Sequence, residues 1–225
     1  MPGKFMLHGG KFLLSPSGKF AVHPDCCCPP RGGMVLLWNT DNEHLGIVAE
    51  VQDLYEAMGL TVHYAYDYTG EITDYGLILW LEAVEDPSWW SVIAAGAWRG
   101  RLHMTSNHGT WTPDSIAYIN SKTGLTGITI NEDTHDIGCN QLGTSETHDL
   151  TDGQDNIYYA ATASVSGGTT LSKTVTTDDP WIAANQVGRI DFVISGDADH
   201  VRLTDCENHV TLNTPFIQNL WTVKV

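Results

Sequence analysis

The chain has 225 residues, which is enough for one domain with a sizeable core and an appendage. Hydrophobic residues make up 42% of it, so we expect a globular protein and not a disordered one. No apolar run approaches the ~20 residues of a membrane span, and the formal net charge of −16 argues against non-specific nucleic-acid binding.

Residues 1–33 predict a basic N-terminal β arm. Its apolar residues alternate as in strands, and Gly-Gly and Ser-Pro-Ser-Gly turns separate them, which indicates a β-hairpin. Residues 1–24 carry a charge of +3 and the remaining residues −19. The arm is therefore either a solvated tail or a segment that docks on an acidic surface. The predicted assembly contacts come from three Gly-Lys-Phe triplets: Lys4, Phe5, Lys11, Phe12, Lys19 and Phe20.

No continuous apolar core precedes a small-residue cleavage site near the N-terminus, so Sec-type export is not expected. We expect a soluble protein, and a place in a virion or a cell-surface assembly is compatible with this sequence.

The five cysteines are too few, and odd in number, for a disulfide framework. Cys26, Cys27 and Cys28 are consecutive, and adjacent cysteines rarely bridge each other because the small ring is strained. Their plausible partners are a metal, Cys139, Cys206 or thiols of a neighbouring chain. A small buried apolar trio is the alternative.

From Met34 to the end of the chain, strand and helix patterns alternate. Strands are predicted at 34–39, 60–66, 75–81, 101–107, 127–130 and within 188–200, of which the first and the last are expected to be buried. Helices are predicted at 42–59, 87–98 and 112–124, and a closing helix, or a helix plus tail, at 208–223. Residues 131–186, rich in Thr, Gly, Asp and Asn, predict an inserted irregular β region. This order predicts an α/β domain over 34–225, with a mostly parallel sheet and helices on both faces.

Polar residues follow the predicted strands, where ligands bind in parallel sheets. The candidate ligand-binding residues are Asp41, Glu82, Asn107, His108, Asp197, Asp199 and His200. Their carboxylates and imidazoles suit a divalent metal or acid–base work. The alternative is that such residues only cap strands and helices, as in every α/β fold.

Two further groups of residues have both a structural and a functional interpretation. His135, Cys139 and His148 could ligate zinc, but their spacing matches no common zinc signature. We expect no cofactor, with a divalent metal as the exception. Trp89, Trp90, Trp98 and Trp111 form either a sugar-stacking or protein-contact surface or part of the core. Two adjacent tryptophans on one helix should not both face the same core.

The stretches VLLWNTDN, YGLILWL, GRLHMTSNHG, THDLTDG and GRIDFVISGDADH resemble, in their order, the class I glutamine amidotransferase-like superfamily, including its ThuA-like branch. The resemblance implies a flavodoxin-like, amidotransferase-like fold. It also implies a catalytic cysteine on the turn after the fourth strand, but this turn reads Ser106-Asn107-His108-Gly109. Cys139 lies too far along the chain to replace it, and no His-x-Glu pair follows the last strand.

The sequence thus supports two functional hypotheses. The first is a non-enzymatic structural or assembly protein, such as a virion, tail or surface-filament component, that self-associates through its arm. The second is a ThuA-like carbohydrate-binding or hydrolytic protein with a site at the carboxyl ends of the strands. Because the catalytic cysteine is missing, we lean towards a protein that is not an enzyme. We expect a homo-oligomer or larger assembly.

Overall fold

The structure, a computed structural model, describes residues 32–39, 45–64, 71–81, 89–105, 117, 119–135, 141–201 and 209–224. All of them belong to one unit, Arg31–Val225. The predicted N-terminal arm, apart from Gly32 and Gly33, lies outside the described residues, and so do all five cysteines.

The described residues form eleven strands: β1 (Met34–Asn39), β2 (Thr61–Tyr64), β3 (Tyr75–Leu81), β4 (Gly100–Thr105), β5 (Thr129–His135), β6 (Gln141–Ser145), β7 (Asn156–Tyr159), β8 (Thr162–Ser166), β9 (Thr169–Lys173), β10 (Pro180–Val187) and β11 (Ile190–Ser195). The helices are α1 (Leu45–Ala57), α2 (Trp90–Ala94), α3 (Thr123–Thr126) and α4 (His209–Thr222). Short 3-10 turns cover Ile72–Asp74, Asp149–Thr151 and Asp199–Val201. Across the described ranges, no helix is both long and apolar enough to cross a bilayer.

The continuous apolar runs form strands that are buried on both faces. In β1, Val35 and Leu37 pack into one core cluster and Leu36 packs into another. Every residue of β3 is buried, and its side chains alternate between the same two clusters. A run without polar residues is what two covered faces require, so the strands predicted at 34–39 and 75–81 are confirmed.

The main sheet has nine strands in the order β2-β1-β3-β4-β11-β10-β9-β6-β7. Strands β2, β1, β3, β4 and β11 are parallel to one another. From β11 onwards every neighbouring pair, through β10, β9, β6 and β7, is antiparallel. Strands β5 and β8 form a separate antiparallel pair.

The predicted fold class was therefore wrong. The sheet is mixed, with four parallel and four antiparallel pairings, and is not the mostly parallel sheet of a helix-rich flavodoxin-like fold. The supposed insertion at 131–186 supplies β6, β7, β9 and β10, so it builds nearly half of the main sheet. Short antiparallel connections in this region replace the crossover helices that a parallel sheet needs.

Helices were predicted on both faces of the sheet, but the structure has helices on one face and a second small sheet on part of the other. One core cluster combines side chains of β1 and β3 with Val51 and Tyr55 of α1 and with Phe216, Ile217 and Leu220 of α4. The other cluster combines the opposite sides of the same strands with α2 and with the β5–β8 pair, through residues such as Ile130 and Val165. One face is thus covered by helices and the other partly by a second small sheet.

A buried arginine attaches α4 to the sheet. Arg101 on β4 is 1% exposed, and its Nε donates to Oδ2 of Asp191 on β11 at 2.6 Å. Its Nη1 donates to the carbonyl oxygens of Asn219, Leu220 and Val223 at the end of α4. A cation there satisfies the last carbonyls and the negative end of the helix dipole. This contact positions α4 over the central strands.

Candidate functional site

A hydrogen-bonded polar cluster lies inside the core where β4 and β11 end. His103 and Ser195 stand on these adjacent parallel strands, and His103 Nε2 lies 2.8 Å from Ser195 Oγ. His200, on the 3-10 turn after β11, places its Nε2 3.3 Å from both Ser195 Oγ and His103 Nε2. All three residues are fully buried. We name these three side chains the His–Ser–His cluster.

Aromatic rings surround this cluster. The ring centroid of Phe216, on α4, lies 6.0 Å from that of His103 and 5.8 Å from that of His200. Trp181 on β10 meets His200 edge-on at 5.6 Å, and Tyr159 packs on Trp181 at 4.8 Å. The His–Ser–His cluster is therefore enclosed by apolar rings from three different elements.

The surroundings keep His103 neutral. Burial, together with the adjacent His200 ring and the Arg101 guanidinium, holds the pKa of His103 well below its usual range. Its Nδ1 is buried and has no hydrogen-bond partner among the residues described. A neutral, enclosed imidazole can donate or accept a hydrogen bond, but it cannot reach a substrate in solvent.

The side chain of Asp197 bonds to the protein backbone. Its side chain is fully buried, and Oδ2 accepts hydrogen bonds from the backbone N–H groups of Ala160 (2.8 Å) and Ala161 (3.4 Å). Asp197 thus ties the end of β11 to the β7–β8 connection.

Asn213 of α4 completes the polar layer. Its Nδ2 donates to the carbonyls of His200 (3.0 Å) and Tyr158 (2.9 Å), and its Oδ1 accepts from the Tyr158 N–H at 2.8 Å. Tyr158 lies on β7, an edge strand of the main sheet. The side chain of Asn213 therefore forms hydrogen bonds with backbone groups of this edge strand, which are then not available to a further strand.

The structure describes only part of the predicted site. Asp197 follows β11 and is buried, and Asp199 and the buried His200 both lie on the next 3-10 turn. The predicted site residues outside the described residues are Asp41, Glu82, Asn107, His108, Cys26, Cys27, Cys28, Cys139, Cys206, Lys4, Phe5, Lys11, Phe12, Lys19 and Phe20.

The two proposed zinc ligands that the structure describes, His135 and His148, stand in different local structures. His135 ends β5, and His148 accepts a hydrogen bond from the Leu150 N–H through Nδ1 at 3.1 Å, which caps a 3-10 turn. The described part of the chain contains no group of three or more His, Cys, Asp or Glu residues that could hold a metal ion.

Trp89 and Trp90 are both buried in the same core cluster, at 3% and 4% exposure, so the expectation that they would diverge was wrong. Trp89 precedes α2, and Trp90 is the first residue of that helix. Their ring centroids lie 6.4 Å apart, and Trp38 and Trp80 each pack against Trp89 at 5.6 Å. These tryptophans are core residues and not an exposed stacking surface.

Sequence reasoning missed His103, Ser195, Arg101 and Asn213. One signal was available: Arg101 and His103 stand two residues apart in an otherwise apolar strand, so they share one face of it. A polar pair on one face of a central strand indicates buried partners. The identity of those partners could not be inferred, because they lie 90 to 122 positions later in the chain.

Two of the clefts on the surface of the described region lie away from the His–Ser–His cluster. One, of about 390 Å³, lies at the amino ends of β4 and β11 and is lined by residues that include His148, Asn185 and Lys224. The other, of about 580 Å³, is lined by residues from Thr144 to Asn156. Neither is lined by Asp197 or His200.

Comparison with known proteins shows similarity of fold alone. The chain matches no family model and no curated protein sequence. Among solved structures it is similar to a β-galactosidase from Rahnella sp. R3, with a TM-score of 0.59 and 12% identity over 84% of this chain. This chain spans only 30% of that enzyme.

Two smaller proteins match over nearly their whole length. A cytoplasmic protein of Salmonella typhimurium LT2 has a TM-score of 0.59 at 10% identity, with 83% of this chain and 99% of that chain covered. A ThuA-like protein from Bacteroides uniformis has a TM-score of 0.50 at 11% identity, with 84% and 91% covered. The chain therefore shares its fold with a ThuA-like protein.

Proposed function

We propose that this chain is a non-enzymatic structural or assembly protein that self-associates through its basic N-terminal arm, as a component of a virion, a tail or a surface filament. One observation carries the proposal. The described polar groups at the ends of the central strands, Asp197 and the His–Ser–His cluster, are fully buried and bonded to protein groups. They stabilise the packing of α4 and β7, and an enzyme would need such groups to be accessible.

The charge distribution supports self-association. Residues 1–24 carry +3 and the remainder −19, so the arm of one copy is attracted to the body of another. The alternation of Phe and Leu with Lys suits a strand that adds to a sheet, which is a common mode of association.

The comparisons are consistent with a scaffold role. The same fold makes up 30% of a large β-galactosidase chain and nearly all of two small proteins, so it serves as one part of larger proteins and also stands by itself. We infer that the chain is a distant relative of ThuA-like proteins within the amidotransferase-like superfamily. The serine, asparagine and histidine at 106–108 stand where that resemblance expects the nucleophile turn.

The test is the oligomeric state of the full chain. Sedimentation velocity under reducing conditions, which exclude intermolecular disulfides, compares the parent with Lys11→Glu/Lys19→Glu in the arm. We expect the parent to assemble and the variant to dissociate. Arg189→Glu/Lys224→Glu, which changes two exposed basic residues of the body by the same charge, is the control and should remain assembled. A monomeric parent, or an arm variant that assembles like the parent, would overturn the proposal.

A further inference from the structure

One long stretch of the chain is acidic without any compensating basic residue. Residues 32–98 contain eleven Asp and Glu residues and no Lys or Arg. This stretch forms β1, α1, β2 and β3. Five of these acids lie on described residues, and they stand on α1 or just before β3: Glu50, Asp53, Glu56, Glu71 and Asp74.

Exposed acidic residues stand on the helix that packs against the terminal strand of the sheet. Asp53 and Glu56 stand on the solvent side of α1, both exposed, and α1 packs against β2. Strand β2 ends the strand order, with β1 as its neighbour in the described sheet. An edge strand offers backbone groups to a further strand.

The same edge also presents apolar side chains. Met58, Leu60 and Val62 are only partly buried, although they pack against the core cluster under α1. We name Asp53, Glu56, Met58, Leu60 and Val62 the α1–β2 edge. It combines negative charge with partly exposed apolar side chains, whereas at the opposite edge Asn213 bonds the backbone of β7.

We propose that the α1–β2 edge is the docking site for the N-terminal arm of a second copy of this chain. This inference rests on the proposed function. In the arm, Lys4, Lys11 and Lys19 each precede a phenylalanine, so the arm carries both positive charge and apolar side chains at short spacing. Both features are complementary to the α1–β2 edge. Backbone pairing with β2 would supply affinity, and the lysines and phenylalanines would supply specificity.

The proposal predicts the effect of reversing charge at the edge. Asp53→Lys/Glu56→Lys in the full chain should weaken self-association by roughly ten-fold or more, measured by sedimentation velocity under reducing conditions. The control is Asp152→Lys/Asp155→Lys, which makes the same change of charge at two exposed residues beside β7. The control should assemble within about two-fold of the parent. Because all four side chains are exposed, circular dichroism should show unchanged folding.

Combining variants separates this inference from the proposed function. Joining Asp53→Lys/Glu56→Lys with Lys11→Glu/Lys19→Glu exchanges the charges, and we expect it to recover part of the lost association. If the arm variant dissociates the assembly but the edge variant does not, arm-mediated assembly stands and this docking site is overturned. The docking site is likewise overturned if the edge variant weakens association no more than the control variant does. If the parent is monomeric, or the arm variant assembles normally, both proposals fail.

Discussion

The Nε2 atoms of His103 and His200 lie 3.3 Å apart, and neither residue has any exposed surface. The two imidazoles stand on different elements, β4 and the turn after β11, and Ser195 Oγ contacts both. A proton added to this cluster would place a charge inside a shell of Phe216 and Trp181. The core is therefore expected to be sensitive to acid.

The stability of the protein should fall below about pH 6.5. The folded state holds the pKa of His103 well below that of an unfolded histidine, about 6.5. Below that pH the unfolded chain binds a proton that the folded chain does not, so the free energy of unfolding decreases as the pH falls. One such histidine contributes a slope of up to about 1.4 kcal/mol per pH unit.

His103→Gln tests this origin, because glutamine keeps a hydrogen-bonding group beside Ser195 and does not titrate. Urea unfolding between pH 5 and pH 7.5 should show a slope shallower than that of the parent by close to one proton. An identical slope in parent and variant would contradict the assignment to His103, even if the variant is less stable at every pH.

Arg101→Met should destabilise the protein strongly. It leaves the carboxylate of Asp191 and the carbonyls at the end of α4 without their cationic partner. Breaking one partner of a buried ion pair costs about 3–5 kcal/mol. Lys173→Met, which removes a partly exposed lysine that pairs with the exposed Glu146, is the control and should change the free energy of unfolding little. Urea denaturation of both variants checks the prediction, and equal losses would argue against a special role for Arg101.

Asn213→Leu should expose the β7 edge as well as reduce stability. The substitution removes the bonds to the N–H and C=O of Tyr158 and to the carbonyl of His200. Each buried group left unsatisfied costs about 1–3 kcal/mol, and an unprotected edge strand promotes aggregation.

We therefore expect a lower melting temperature together with increased light scattering on heating. Gln52→Leu, which removes an exposed bond to Glu56 on α1, is the matched control and should do neither. A destabilised Asn213→Leu variant that stays in solution as the parent does would show that Asn213 does not protect the edge.

Gly196→Ala should be poorly tolerated because of close packing. A Cβ at Gly196, after β11, would overlap the carbonyl oxygen of Ala163 on β8. The Gly196 N–H donates to the carbonyl of Trp181, and the Gly196 carbonyl accepts from the N–H of Ala163. A backbone shift that relieved the overlap would therefore break these hydrogen bonds. We expect a loss of about 1–3 kcal/mol in the free energy of unfolding. Gly124→Ala, where the added Cβ meets nothing within 4 Å, should be nearly neutral, and equal effects at both positions would refute the packing argument.

The charge split and the two strands at 34–39 and 75–81 could be determined from the sequence alone. A continuous apolar run is a local property: a strand covered on both faces has no exposed position for a polar side chain, so the pattern is visible without knowing its neighbours. The charge distribution likewise needs only a count.

Only the tertiary structure decided the direction and partners of the strands. Strands β4 and β11 pair across some 90 residues of chain, and the pattern of a strand does not record which strand lies beside it or in which direction. Residues 131–186 therefore resembled an insertion, although they complete the main sheet. The His–Ser–His cluster exists for the same reason, because His103, Ser195 and His200 meet only once those strands have paired and α4 has closed over them.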